Sequence, residues 1–61
     1  MKVFNITHYA FSAYVMMPAD SSDLEIRHKA ARELDSIPTL YTPRYNRLAA
    51  RAAIYFGKVN R

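Results

Sequence analysis

Tyr14-Val15-Met16-Met17-Pro18-Ala19-Asp20-Ser21-Ser22-Asp23-Leu24-Glu25-Ile26 is the stretch on which the fold turns. It begins in strand-type residues, breaks at a proline, and passes through a short polar turn into a helix start. Ser22 and Glu25 have the capping-box spacing, and Asp23 places a negative charge in the first turn. From there Ile26, Ala30, Leu34 and Ile37 recur at helical spacing and line one face. Asp23 with Arg27, and Glu25 with Lys29, stand four apart in the favourable order, so the outer face neutralises itself. Pro38 ends this helix near Ser36, because a residue before proline avoids the α region.

Upstream, Val3, Phe4, Ile6, Thr7, Tyr9, Phe11, Tyr14 and Val15 favour a strand, while Ala10, Ala13, Met16 and Met17 suit a helix. As a helix, residues 6–17 are apolar almost all round. As a strand they divide, with Phe11, Ala13, Val15 and Met17 on one face and Ala10, Ser12, Tyr14 and Met16 on the other. The strand is the better reading. No Gly, Asn-Gly or Asp-Gly marks a hairpin turn, so one long strand is expected ahead of two short ones. Such a strand leaves an open edge for another chain.

Downstream, residues 37–42 form a connection with a short extended stretch at 39–41. Thr42-Pro43 reads as an N-cap followed by proline at the first helical position. The second helix is expected over residues 43 to about 56, with Gly57 as its stop. On it Arg44, Arg47 and Arg51, continuing to Lys58 and Arg61, fall on one side, and Tyr45, Leu48, Ala52, Tyr55 and Phe56 on another. Ala49, Ala53 and Gly57 form a strip of small residues suited to packing against Ala30 and Ala31. The fold class is therefore α+β, an N-terminal β-strand segment followed by two α-helices, in one small domain over residues 1–61. The alternative is an all-α three-helix domain.

Arg47-Leu48-Ala49-Ala50-Arg51-Ala52-Ala53-Ile54-Tyr55-Phe56 resembles the second helix of ribbon-helix-helix repressors, and the strand–helix–helix order is similar. The link between the helices is longer and carries a proline, and the strand region is longer too. The likeness covers about ten residues of common composition and serves as an analogy.

Composition narrows the functional classes. The chain has 61 residues and no cysteine, so disulfides and thiolate metal sites are excluded. His8 and His28, twenty residues apart, make no recognised ligand spacing, and no metal or cofactor is expected. A chain of this size buries only about 60% of its unfolded surface. Yet 51% of its residues are hydrophobic and eight are aromatic. Covering that excess favours a homo-oligomer, a homodimer in the simplest case, or a domain completed by a partner protein. Residues 3–17 are interrupted by polar side chains and read neither as a leader peptide nor as a membrane span.

Nothing points to catalysis. The single glycine makes no phosphate loop, and no serine stands in a nucleophile elbow. His28 reads as a solvated surface residue and His8 as a packed or edge-strand histidine. The charge pattern is more telling. Net charge is +4, all five acids lie between Asp20 and Asp35, and Arg44, Arg47, Arg51, Lys58 and Arg61 follow with no acid among them. If helical throughout, that basic stripe extends about 26 Å, long enough to track a phosphate backbone. Arginine suits bidentate phosphate contacts, and Tyr41 and Tyr45 stand ready to stack on bases. The expected function is a small, basic, non-enzymatic nucleic-acid-binding or regulatory protein. The alternative is a protein-interaction module, an inhibitor of the viral or mobile-element type, that occupies an acidic or nucleic-acid-binding site on a target enzyme. The cytoplasm of the producing or host cell is the expected location.

Overall fold

The computed structural model describes residues 1–37 and 47–61. The order is β1 (Lys2–His8), β2 (Phe11–Met17), α1 (Asp23–Asp35), α2 (Arg47–Phe56) and β3 (Lys58–Asn60). The three strands form one antiparallel sheet in the order β2-β1-β3. The fold is α+β, and the all-helical alternative is set aside. The ribbon-helix-helix analogy ends here as well, since two strands precede the helices and a third follows them. Residues 39–41 and the expected start of the second helix at 43–46 lie outside the described residues.

The N-terminal segment is a hairpin where one long strand was expected. Its two-residue turn, Tyr9-Ala10, joins the facing residues His8 and Phe11. Tyr9 takes φ 55°, the only positive φ among the described residues. This is the pattern of a type II′ turn, whose first position glycine normally occupies, so nothing in the local sequence warns of it. The His8 ring meets the Tyr9 ring edge-on at 4.8 Å, a local contact that offsets part of the backbone cost. Tyr9 is otherwise almost wholly exposed. Tyr9→Gly is therefore expected to raise stability by about 0.5–1 kcal/mol, read from the midpoint of urea unfolding. An unchanged or lower midpoint would mean that the turn carries no strain.

The alternation of the strands sorts the core. Phe4, Ile6 and Val15 face the helices and are buried, with Ala13, Met17 and Val59 half-buried beside them. From α1 come Ile26, Ala30, Ala31 and Leu34, the face expected from the sequence apart from Ile37, which is 42% exposed. Ser22 closes the capping box in both directions, its Oγ accepting from the Glu25 N–H at 3.2 Å and its own N–H donating to Glu25 Oε1 at 3.1 Å. Hydrogen bonds from Ser22, side chain and then backbone, hold the Glu25 carboxyl below the usual carboxylate range. That contribution is present above the unfolded pKa and is lost as the pH falls through the lowered one. Asp23 pairs with Arg27 at 3.1 Å as expected, whereas Lys29 pairs with Glu33 at 3.8 Å because Glu25 is committed to the cap.

The second helix is rotated from the expected orientation. Ala50, Ala53 and Ile54 are its buried residues, while Leu48 and Phe56 are 78% and 80% exposed. The cause lies at Gly57. There the chain leaves the helix and settles directly onto β1 as β3, so the residues above the crossing must be small. A Cβ on Gly57 would sit 2.6 Å from both the Ala53 and the Thr7 carbonyl oxygens. Ala53 and Gly57 from the small strip face inward, and Ala49 faces solvent.

Candidate anion-binding surface

The ending of α2 at Phe56 divides the expected basic stripe. Lys58 belongs to β3, Arg61 lies just past it, and a 26 Å helical track does not exist. Tyr41, Arg44 and Tyr45 lie outside the described residues.

The two described arginines of α2 work inside the molecule. Arg47 donates to the Asp35 carbonyl at 3.5 Å and to the Ile37 carbonyl, covering open acceptors at the C-terminal end of α1. Arg51 forms an ion pair with Asp35. The hydrogen bond to that carboxylate, and then its charge, push the Arg51 guanidinium pKa up. Arg47 and Arg51 thus both have partners at the C-terminal end of α1, although the Arg51–Asp35 pair is exposed, where such pairs add little to stability.

A second group of cations lies along the β1–β3 side. Lys58 stands opposite Thr7 in the ladder and is exposed. Arg61 Nη2 donates to the carbonyl of buried Ser21 at 2.9 Å, tying the last residue to the turn before α1. Its guanidinium also lies 5.6 Å from the centroid of the Phe4 ring, and Lys2 Nζ lies 5.5 Å from the same ring. Both contacts are within cation–π range. The structure thus brings Arg61 to Lys2, a residue that sequence reasoning missed, at the Phe4 ring, while Lys58, opposite Thr7, lies on the other face of the sheet. Only the pairing of β1 with β3 could have disclosed it.

The strands themselves carry no negative charge, since none of the residues of β1, β2 or β3 is acidic. On the face turned from the helices, Asn60 Nδ2 donates to Asn5 Oδ1 at 3.2 Å and Thr7 Oγ1 at 3.3 Å. Asn5 Nδ2 donates to Ser12 Oγ at 2.8 Å and to the Ala13 carbonyl at 2.9 Å. This neutral lattice binds the three strands together and leaves Tyr14 (69% exposed) beside it. Four of the five acids are occupied elsewhere: Asp23 with Arg27, Glu25 with Ser22, Glu33 with Lys29 and Asp35 with Arg51.

Of the histidines, His28 is exposed with its ring edge 5.9 Å (centroid to centroid) from Tyr55, and His8 is half-buried at the hairpin end of the central strand. Among the described residues no three His, Cys, Asp or Glu side chains are placed to hold a metal ion. Among the same residues no helix is long and apolar enough to cross a membrane. Comparison with protein-family models, with curated proteins and with solved structures gives no match to this chain.

Proposed function

We propose that the protein is a small, basic, non-enzymatic binding protein whose partner is a nucleic acid, held through its phosphates. One observation carries the reading: the acids are gathered on and before α1 and are mostly occupied by internal contacts, while no strand carries a carboxylate and the sheet presents Lys58 on its outer face and Lys2 with Arg61 around the Phe4 ring. Lys58, with no ion pair among the described residues, is the most available of the three. A phosphate backbone supplies the missing negative charge at a spacing that several separated cations can meet. Arg47 and Arg51 act first as ties between the helices, and any share they take in binding is secondary.

Fluorescence anisotropy with labelled single-stranded and duplex DNA, run as a salt series, tests the reading. Lys2→Gln/Lys58→Gln removes two charges that make no hydrogen bond to the rest of the protein among those described. On duplex DNA it is expected to reduce the log–log salt slope by about 1.8, at about 0.9 for each phosphate no longer neutralised. The circular dichroism spectrum should not change. Failure of the parent protein to bind either DNA, or a slope unmoved by the double substitution, overturns the proposal. Capture of a protein from lysate that survives nuclease treatment would instead favour the inhibitor reading.

A further inference from the structure

Among the described residues β2 is an outer strand with no charge, proline or bulge to blunt it. Its seven residues, Phe-Ser-Ala-Tyr-Val-Met-Met, include no charge, no proline and no glycine, and residues 3–19 contain no Asp, Glu, Lys or Arg. Outer strands of soluble proteins are normally blunted by lysine, proline, a bulge or a covering segment, because their free N–H and C=O groups template further pairing. In the sheet described, β1 is the only strand paired with β2. A groove of about 320 Å3 lies between β2 and the helices, with Ala13, Tyr14 and Val15 on the sheet side and Leu34, Ile37 and Ile54 on the helix side.

The register fixes which backbone groups are available. The two-residue turn makes His8 and Phe11 a hydrogen-bonded pair, and pairs alternate from there along an antiparallel ladder. The N–H and C=O groups of Ser12, Tyr14 and Met16 therefore point away from β1. These three positions are symmetric about Tyr14.

We infer that this edge is a self-association surface, on which β2 of a second copy pairs antiparallel across a two-fold axis at Tyr14. Tyr14 then faces Tyr14 of the second copy, Ser12 faces Met16, and Ala13 faces Val15. Each outward N–H meets an outward C=O, giving about six backbone hydrogen bonds and a continuous six-stranded sheet. The second copy is the occupant because the strand is complementary to itself. It brings no charge against its own image, although the chain as a whole is +4 and would repel a copy approaching through its basic side. The inference is independent of nucleic-acid binding and is read without any nucleic acid present.

Sedimentation equilibrium at micromolar concentration tests it. The parent protein is expected at twice its 7.1 kDa mass. Tyr14→Lys places two ammonium groups against each other at the axis and should give the 7.1 kDa species with an unchanged circular dichroism spectrum, as Tyr14 is an exposed side chain. Tyr14→Glu should do the same. Mixing the two variants should restore the dimer, since lysine then faces glutamate. As a check that does not depend on weakening the contact, Tyr14→Cys in this cysteine-free chain should form a disulfide-linked dimer on mild oxidation, because facing residues of a hydrogen-bonded pair lie about 5.5 Å apart at Cα. A monomeric parent protein, a dimer that survives Tyr14→Lys, or a lysine–glutamate mixture that stays monomeric overturns the inference.

Discussion

Gly57→Ala is expected to abolish the cooperative thermal transition or to lower stability by about 3 kcal/mol or more. The added methyl carbon would lie 2.6 Å from the Ala53 and Thr7 carbonyl oxygens and 3.0 Å from Ile6 Cγ2. Two of the three obstacles are backbone atoms, one at the end of α2 and one in the central strand, so no side-chain rotation relieves the clash. Relief requires α2 and β1 to separate. That also disturbs the Gly57 N–H bond to the Ala53 carbonyl (2.8 Å) and the start of β3. The cost is steric and owes nothing to backbone conformation, as Gly57 does not take a positive φ. Thermal melting followed by circular dichroism decides it, and a midpoint within a degree or two of the parent would mean that β3 does not cross onto β1 at this point.

Arg27→Met is expected to cost about 2–3 kcal/mol, measured by the same melt or by urea unfolding. The Arg27 Nη1 group is shared among the carbonyls of Ile54 (2.9 Å), Tyr55 (2.9 Å) and Gly57 (2.8 Å). Its Nε and Nη2 hold Asp23. These are acceptors that α2 cannot satisfy as it ends, and a cation there also complements the helix dipole. The side chain is only 16% exposed, so water does not readily replace it. Methionine keeps the apolar stem and removes the guanidinium, which distinguishes the capping role from the packing role. Arg27→Lys should recover only part of the stability, since an ammonium cannot serve three carbonyls and a carboxylate from one position. If Met and Lys variants melt like the parent, the contact is an exposed one of little consequence.

The contrast between these two residues shows what the sequence discloses. Ser22, Asp23, Glu25 and Arg27 state α1 in full, because cap and ion pairs are made between residues three or four apart. Arg27 also has partners 27 to 30 residues away, and nothing in the local pattern reveals them. The orientation of α2 failed for a similar reason. Leu48, Tyr55 and Phe56 are larger than Ala50 and Ala53, so amphipathicity alone turns the wrong side inward, and the deciding constraint is the close approach at Gly57. The hairpin was hidden by Tyr9 in a glycine position, and three-residue β3 is too short to show a period. Of the site residues, Lys58 and Arg61 were legible as unbalanced charge. The engagement of Arg47 and Arg51 was not, since it depends on how α1 ends against α2.

The pairing of β3 with β1 has a consequence for how the molecule assembles. Asn60 meets Asn5 across 55 residues of chain, whereas β1 and β2 meet across a two-residue turn. Closing a loop of that length costs about 3.5 kcal/mol in chain entropy beyond the constant part, against about 0.6 kcal/mol for the hairpin turn. A ladder of three residues cannot offset that alone. The ends must first be brought together by the helices, with α1 seated on the hairpin and the end of α2 held at Arg27. The sheet is then completed last, from the outside, and its closing strand borrows its stability from the helices packed beneath it.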